Sequence, residues 1–194
     1  MGRHAALELG HRGCKVIAVS DVAGAIADPN GLDIPALAEH SRRTGSVVGF
    51  PCGKAVDHRA VLCAKCDFLV PAALEECITA EIAPHVQARI VAEGANGPTT
   101  MAAAEILHTR GIPVVPDVLA NGGGVTVSYF EWVQNRQEYY WSREEVISRL
   151  TERMVNAYRE IADRARERCG TLRQAAYEIA MDRVVRVTLE RGAQ

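Results

Sequence analysis

The segment RIVAEGAN, at residues 89–96, decides the fold class because an aliphatic run passes directly into a glycine-containing turn. Aliphatic runs of the same kind recur elsewhere in the chain, at residues 15–21, 46–50, 67–73 and 112–117. Each run is continuous rather than alternating in polarity, which is typical of strands covered on both faces in a parallel sheet.

Helix-like segments lie between most of these runs, at residues 32–43, 57–65, 79–86 and 99–110. A repeated order of strand, helix and strand predicts an α/β fold with a doubly wound sheet. Beyond residue 116 the chain becomes helical, with one helix after the glycine run at 122–124 and two more that begin after Ser142 and Thr171. Glu145 and Gln174 follow these two residues at the spacing of capping boxes.

Composition and charge limit the class of protein. The chain has 194 residues, 48% of them hydrophobic and 24% charged, as expected for a folded globular protein. A net charge of -2 provides no excess of basic groups for a phosphate backbone, so we expect no nucleic-acid partner. The uncharged stretch at 118–130 is too short to span a bilayer, and charged residues interrupt the apolar core that a signal peptide needs. We therefore expect no membrane partner and a cytoplasmic location.

The six cysteines are too sparse for a disulfide framework, so free thiols are expected. Cys63 and Cys66 have the spacing of zinc ligands, and Cys52 with His58 could complete a set of four. No second C-x2-C motif accompanies them, and Cys66 opens an apolar run in which a thiol packs as a small hydrophobe. We predict no metal site and keep a zinc-binding domain as an alternative.

The beginning of the chain matches the second half of a mononucleotide-binding unit. Such a unit opens with a strand, a G-x-G-x-x-G turn and a helix, and places an acidic residue after its second strand. Here Gly2 leads directly into a helix-like segment at 3–11, the run at 15–20 follows, and Asp21 stands at its end. Gly2 would be the last glycine of the motif, and Asp21 would accept from ribose hydroxyls unless it is only a turn residue or helix cap.

Two motifs, IVAEGANGPTT at 90–100 and LANGGGVTVSYFEW at 119–132, resemble those of the glutamate dehydrogenases in the Glu/Leu/Phe/Val dehydrogenase family. The resemblance covers residues 2–192 and the C-terminal, nucleotide-binding half of that family. It implies a modified Rossmann doubly wound sheet with its first strand missing, followed by long C-terminal helices. We expect an incomplete dinucleotide-binding domain at 1–140 and a helical segment packing on it at 141–194.

The same resemblance implies a site for NAD or NADP and for L-glutamate or 2-oxoglutarate. The cofactor-binding residues that it implies are Gly2, Asp21, Ala72, Ala73, Asn96 and Asn121. Val125 would border the substrate, and Ser128 would donate a hydrogen bond to the distal carboxylate of glutamate. From the residues alone, Asn96 and Asn121 could instead be left-handed turn residues, and Ser128 could bond back to its own helix.

The resemblance implies an NAD(P)-dependent oxidoreductase that converts L-glutamate into 2-oxoglutarate and ammonia, and a homo-oligomer in the full-length family. The family's catalytic lysine and aspartate belong to the half without a counterpart here, and Lys15, Lys54 and Lys65 lack the glycine-rich setting of that lysine. We therefore assign no catalytic residue and expect the chain to be an inactive fragment with weak coenzyme binding. The alternative is a non-catalytic nucleotide-binding or subunit-interaction module.

Overall fold

A computed structural model describes residues 1–192, which form two compact units. The first unit is Met1–Ile112, and the second begins at Pro113. The predicted α/β fold is confirmed, with strands and helices alternating in the first unit and long helices dominating the second. The division into functional domains after residue 140 stays a prediction. Within the described residues, every helix is too short or too polar to cross a lipid bilayer.

The first unit contains α1 (Gly2–His11), β1 (Ala18–Ser20), β2 (Ala25–Ala27), α2 (Ile34–Thr44), β3 (Lys54–Val56), α3 (His58–Leu62), β4 (Cys66–Leu69), β5 (Ala88–Ala92) and α4 (Met101–Thr109). A short 3-10 helix at Ala83–His85 precedes β5. The second unit contains β6 (Val114–Val115), α5 (Asp117–Ala120), α6 (Gly123–Gln137), α7 (Arg143–Arg168) and α8 (Leu172–Glu190).

The strands of the first unit pair in two different ways. β4 and β5 run parallel, with Leu69 opposite Val91, as the continuous aliphatic runs predict. β1, β2 and β3 form an antiparallel sheet, which those runs do not predict. The chain reverses tightly between β1 and β2, where the Asp21 backbone amide donates to the Gly24 carbonyl at 2.9 Å. A reversal this short permits only antiparallel pairing, since parallel neighbours need a long crossover.

The order of the strands agrees with a fold that lacks its first strand. β1 is an edge strand of the antiparallel sheet, and β4 is an edge strand of the parallel one. In the predicted strand order, the first strand lies between the strands that correspond to β1 and β4. Two separate sheets are therefore the arrangement expected when that strand is missing.

A buried apolar cluster joins α2 and the antiparallel sheet. Its members share nearly complete burial and aliphatic or aromatic side chains: Ile26, Leu32, Ile34, Leu37, Val47 and Phe50. Asp33 caps the N-terminus of α2 by accepting from the Ala36 amide at 3.0 Å, and Gly45 ends the helix with a φ of 83°. The predicted helix at 32–43 is thus confirmed, with the start and stop signals that its sequence carries.

The predicted strand at residues 46–50 is wrong. These residues form a turn in which Gly49 adopts a φ of 81°, a left-handed conformation that favours glycine. Val47 and Phe50 are buried in the cluster around Ile26, so their apolar character reflects burial of a turn rather than a strand. In a strand, the Val47 amide would donate to a carbonyl of a neighbouring strand. Here it donates to the Asp21 carboxylate at 2.6 Å.

The predicted helix at residues 79–86 is also wrong, apart from the 3-10 turn at Ala83–His85. Pro84 has no backbone amide and cannot sit in the interior of a longer helix. Val86 then returns to an extended conformation, with φ -61° and ψ 128°, and leads into β5. Ala83 and Val86 are both fully buried, which explains the apolar spacing that resembles a helix.

The second unit is built on the antiparallel contact between α7 and α8. Its apolar cluster contains Leu119, Ile161, Ala165, Ala175, Ala176 and Ile179. The capping box at the start of α8 is confirmed, because the Thr171 and Gln174 side chains each accept from the other's backbone amide. At α7 only half of the predicted box forms. The Ser142 hydroxyl accepts from the Glu145 amide at 3.2 Å, but the Glu145 carboxylate binds Arg149 instead.

Replacing Thr171 with alanine should lower the free energy of unfolding by about 1 kcal/mol, because the Gln174 backbone amide at the start of α8 loses the hydroxyl that accepts its hydrogen bond. Chemical denaturation of the full chain measures this change. Thr188→Ala is the matched control, since the Thr188 hydroxyl bonds only to the Val184 carbonyl within α8 and caps nothing. Equal losses from the two substitutions would contradict the role of the capping box.

Candidate functional site

The carboxyl ends of β4 and β5 form the candidate site in the first unit. Because the two strands are parallel neighbours, the segments that follow them, residues 71–73 and 93–96, emerge at the same edge of the sheet. In open α/β sheets, ligands bind outside this edge. The predicted residues Ala72, Ala73 and Asn96 all lie on these two segments.

Backbone hydrogen bonds hold the two segments together. The Pro71 carbonyl accepts from the amides of Gly94 and Ala95, both at 2.9 Å. Farther along, the Glu76 amide donates to the Gly97 carbonyl at 2.8 Å and the Ile78 amide to the Pro98 carbonyl at 2.9 Å. The turn after β5 is therefore fixed by its backbone over several residues, as a preformed binding edge requires.

Close packing at this edge brings Gly2, Ala72 and Gly94 together. A Cβ atom added at Gly94 would lie 3.0 Å from the Ala72 Cβ and 3.4 Å from Cγ of Met1. One added at Gly2 would lie 3.6 Å from the same Ala72 Cβ. The start of α1, the end of β4 and the end of β5 thus meet within van der Waals distance, and Gly94 is required by space rather than by backbone conformation.

The N-terminus of α1 supplies electropositive character to this edge. No side chain caps the helix at Met1, whose carbonyl accepts from the amides of His4 and Ala5. The amides of Gly2 and Arg3 precede the first intrahelical bond, as in any α-helix, and the helix dipole makes this end partly positive. An uncapped helix start beside glycine and alanine backbone suits an anionic group.

Asp21, at the end of β1, organises two loops through its carboxylate. Oδ1 accepts from the amides of Ala23 at 2.8 Å and Gly24 at 3.2 Å and from the Ser46 hydroxyl at 3.3 Å. Oδ2 accepts from the Val47 amide at 2.6 Å. Asp21 therefore has the structural role of a turn residue. Oδ2 still has acceptor capacity for a ligand hydroxyl, because a carboxylate oxygen can accept two hydrogen bonds.

These bonds also set the charge state of Asp21. Partial burial acts to raise its pKa, but the hydrogen bonds from Val47, Ala23, Ser46 and Gly24 outweigh burial and hold the pKa below its ordinary value. Asp21 is therefore ionised at neutral pH. An ionised carboxylate at this position accepts hydrogen bonds from hydroxyl groups and repels a phosphate.

Neither Asn96 nor Asn121 adopts the left-handed turn conformation that was the alternative to a ligand-binding role. In the turn after β5, Gly97 takes this conformation, with φ 52°. Asn121 ends α5 with φ -102°, and its amide donates to the Asp117 carbonyl at 3.0 Å. The ligand roles predicted for Asn96 and Asn121 stay predictions.

Val125 and Ser128 lie three residues apart on α6, in the second unit, and therefore share a helix face. Val125 is 78% exposed, and Ser128 is exposed as well. Within residues 1–192 the Ser128 hydroxyl makes no hydrogen bond to its own helix, whereas the Thr126 hydroxyl bonds to the Gly122 carbonyl at 3.0 Å. The α6 face thus presents one aliphatic and one hydroxyl group to an incoming molecule.

Two residues at the candidate site were not predicted. Gly94 has a direct signal in the sequence, a glycine immediately after a buried strand, which indicates close backbone approach. Glu93 is 0% exposed, and no sequence signal reveals that its side chain is buried. Burial raises the pKa of the nearby Cys77 thiol, and the charge of Glu93 acts in the same direction. Cys77 therefore stays protonated at neutral pH.

The structure gives no support to the alternative zinc site. Across residues 1–192, no group of three or more His, Cys, Asp or Glu side chains is arranged to hold a metal ion. All six cysteines are free thiols. Burial raises the pKa of the Cys66 thiol, and the neighbouring Asp67 adds to this effect.

Comparison with known proteins gives consistent matches along the whole chain. A family model for Glutamate/Leucine/Phenylalanine/Valine dehydrogenase matches residues 1–192. A glutamate dehydrogenase from Thermotoga maritima is 45% identical over 193 residues, which are 99% of this chain and 46% of the relative. This chain therefore spans slightly less than half the length of that relative.

Solved structures show the same partial coverage. The Leu-bound hetero-hexameric glutamate dehydrogenase from Thermus thermophilus matches with a TM-score of 0.93 at 33% identity, over 100% of this chain and 45% of that one. The glutamate dehydrogenase from Peptoniphilus asaccharolyticus matches with a TM-score of 0.82 at 33% identity, with the same coverage of both chains.

Asp21→Asn should lower the free energy of unfolding at pH 7 by about 1 to 3 kcal/mol, because its new NH2 group would face a backbone donor. The folded-state pKa of Asp21 is depressed, so its stabilisation is present above 3.8, its ordinary value, and is lost as the pH falls below it. Urea unfolding across this pH range should show the two proteins converging in acid.

Asp28→Asn is the control for this pH dependence. The Asp28 carboxylate accepts from the Asn30 amide through Oδ1 at 2.8 Å, a bond that an amide oxygen can keep. We expect little change in stability from this substitution at any pH. A loss for Asp21→Asn that stays constant down to the acid limit would contradict the charge-based role of Asp21.

Proposed function

The chain belongs to the Glutamate/Leucine/Phenylalanine/Valine dehydrogenase family, and from this premise we propose that it is the nicotinamide-coenzyme-binding part of a glutamate dehydrogenase. The proposed reaction is the oxidative deamination of L-glutamate to 2-oxoglutarate and ammonia, with NAD or NADP as the coenzyme. The names and coverage of the relatives from Thermotoga maritima and Thermus thermophilus support this assignment.

One observation carries the proposal: the uncapped start of α1 lies against Ala72 and Gly94 at the carboxyl edge of β4 and β5. The space beside Gly94 is so tight that a single added Cβ would come within 3.0 Å of Ala72. A bare backbone surface next to a positive helix end is the arrangement that accepts a pyrophosphate group. The residues present therefore fit a dinucleotide coenzyme.

Each predicted residue of the first unit has a chemistry that suits one part of the coenzyme. The Gly2 amide at the start of α1 would donate to a phosphate oxygen, and the Asp21 carboxylate would accept from the adenosine ribose. Ala72 and Ala73 would line the site with backbone and methyl groups. Asn96 can both donate to and accept from a carboxamide, which suits the nicotinamide end. When bound, the coenzyme supplies a hydride acceptor.

The residues proposed for the nicotinamide and the substrate in the second unit lie on α5, its C-terminal end and α6. Asn121 ends α5, and Asp117 begins it. Asp117 forms a largely buried ion pair with Arg173 at 3.0 Å, which holds this helix and so positions Asn121. The Asn121 amide group would contact the nicotinamide or the substrate. Val125 would border the aliphatic part of glutamate, and the Ser128 hydroxyl would donate to its distal carboxylate. A hydroxyl in this role selects glutamate over apolar amino acids.

The proposed activity also needs a group that accepts a proton, a role that a lysine held in a buried site can fill. Lys15, Lys54 and Lys65 are all exposed and do not suit this role. We therefore propose that residues 1–194 alone bind the coenzyme weakly and do not turn over glutamate. Oligomer formation is proposed by analogy with the Thermus thermophilus relative, a hetero-hexamer.

Gly94→Ala should weaken NADH binding about tenfold, because the added methyl group pushes the turns after β4 and β5 apart. Fluorescence titration of NADH with the full chain measures the affinity. Gly10→Ala is the matched control: no atom lies within 4 Å of a Cβ added there, and alanine in the interior of α1 should stabilise the chain by up to about 1 kcal/mol.

The outcome separates coenzyme binding from general destabilisation. Saturable NADH binding by the native chain and by Gly10→Ala, with a clear loss in Gly94→Ala, supports the site. Absence of saturable binding by a folded native chain, or equal binding by both variants, overturns it. The charge of Asp21 further predicts that NADH binds more tightly than NADPH, whose additional phosphate a carboxylate repels.

The absence of turnover is tested by mixing the full chain with L-glutamate and NAD and following NADH absorbance. We expect no rate above that of the solution without protein, and the Thermotoga maritima relative serves as the positive control. Turnover by the native chain that disappears in Ser128→Ala would show that proton transfer is possible within these 194 residues. That result would contradict the proposal that residues 1–194 alone do not turn over glutamate.

A further inference from the structure

A cavity of the first unit lies at the edge of the parallel sheet opposite the candidate coenzyme site. It has a volume of about 660 Å³ and opens widely to solvent. Cys63 and Gln87, which come shortly before β4 and β5, form part of its wall. Since Ala72 and Asn96 follow these strands, the cavity faces the amino edge of the sheet, away from the proposed coenzyme site.

Arginine side chains outnumber acidic ones in this cavity. Arg59 and Arg110 line it together with His85 and a single carboxylate, that of Asp57. The Asp57 carboxylate caps α3 by accepting from the Arg59 backbone amide at 2.6 Å. Among the described residues, no ion pair includes the guanidinium group of Arg59 or that of Arg110. Two guanidinium charges therefore face solvent without a neutralising side chain.

The walls of the cavity are fixed by hydrogen bonds across it. Arg110, which ends α4, donates through Nη1 to the Ala83 carbonyl in the 3-10 helix. Gln87 donates through Nε2 to the Cys63 carbonyl at 3.2 Å and so connects the start of β5 to the end of α3. These bonds connect four elements around the opening, so the cavity is already formed before a ligand binds.

We propose that this cavity, named here the amino-edge groove, binds a small molecule that carries two or more phosphate groups. A planar guanidinium group matches the spacing of phosphate oxygens and can donate two parallel hydrogen bonds. The volume falls in the range of small-molecule sites and exceeds what a single phosphate fills. The groove goes beyond the proposed dehydrogenase function and does not depend on it.

The two ends of the sheet are far enough apart for independent occupancy. β5 has five residues, and a strand rises about 3.3 Å per residue, which places the two edges on the order of 15 Å apart. A ligand in the amino-edge groove would therefore not displace a coenzyme at the carboxyl edge. It would instead bind at the amino ends of the same two strands, β4 and β5.

Inorganic pyrophosphate is the probe for the groove, with affinity measured by titration calorimetry on the full chain. Arg59→Gln should weaken binding about tenfold, because one charge-assisted contact is lost. Arg59 is exposed and its guanidinium holds no other element, so this variant should keep its fold. Arg43→Gln, an equal change of charge on α2, should alter the affinity by less than about twofold.

Location is tested by alkylation of cysteines with and without pyrophosphate, read out by peptide mass spectrometry. Cys63 lines the groove and should be protected, whereas Cys169, exposed after α7, should react at an unchanged rate. Protection of Cys63 should persist in Gly94→Ala, which disturbs only the proposed coenzyme site. Absence of pyrophosphate binding, equal affinity of the Arg59 and Arg43 variants, or unprotected Cys63 at saturation would each overturn the proposal.

Discussion

The carbonyl of Pro71 is the acceptor on which the candidate site depends. By accepting from both Gly94 and Ala95 it joins the segments that leave two parallel strands, and it brings Gly94 so close to Ala72 that a Cβ added at Gly94 would lie 3.0 Å from the Ala72 Cβ. The start of α1 then rests on the same surface through Gly2. The helix end, the turn after β4 and the turn after β5 thus form one surface.

Much of this surface could be predicted from the sequence. The aliphatic run and glycine of RIVAEGAN place a turn at the edge of a parallel sheet, and Asp21 follows β1 as the mononucleotide-binding pattern predicts. Helix boundaries could also be predicted, because Asp33 and Thr171 cap α2 and α8 in the structure as the sequence indicates. These features are local, since each depends on residues close together in the chain.

What could not be predicted depends on contacts between distant residues. The apolar residues at 46–50 were expected to form a strand, but Asp21 binds the Val47 amide from 26 positions away and converts the segment into a buried turn. The antiparallel pairing of β1 and β2 is an exception, because it follows from a local reversal that the same carboxylate holds. The burial of Glu93 and the cationic groove likewise arise from elements that the fold brings together.

The central claim is that one surface at the carboxyl edge of β4 and β5 binds a nicotinamide coenzyme. Amide nuclear magnetic resonance of the full chain during addition of NADH tests it most directly. The account predicts that the amide signals of Gly2, Ala72 and Gly94 shift together with one affinity. Shifts confined to other residues, or separate affinities for the three elements, would contradict it.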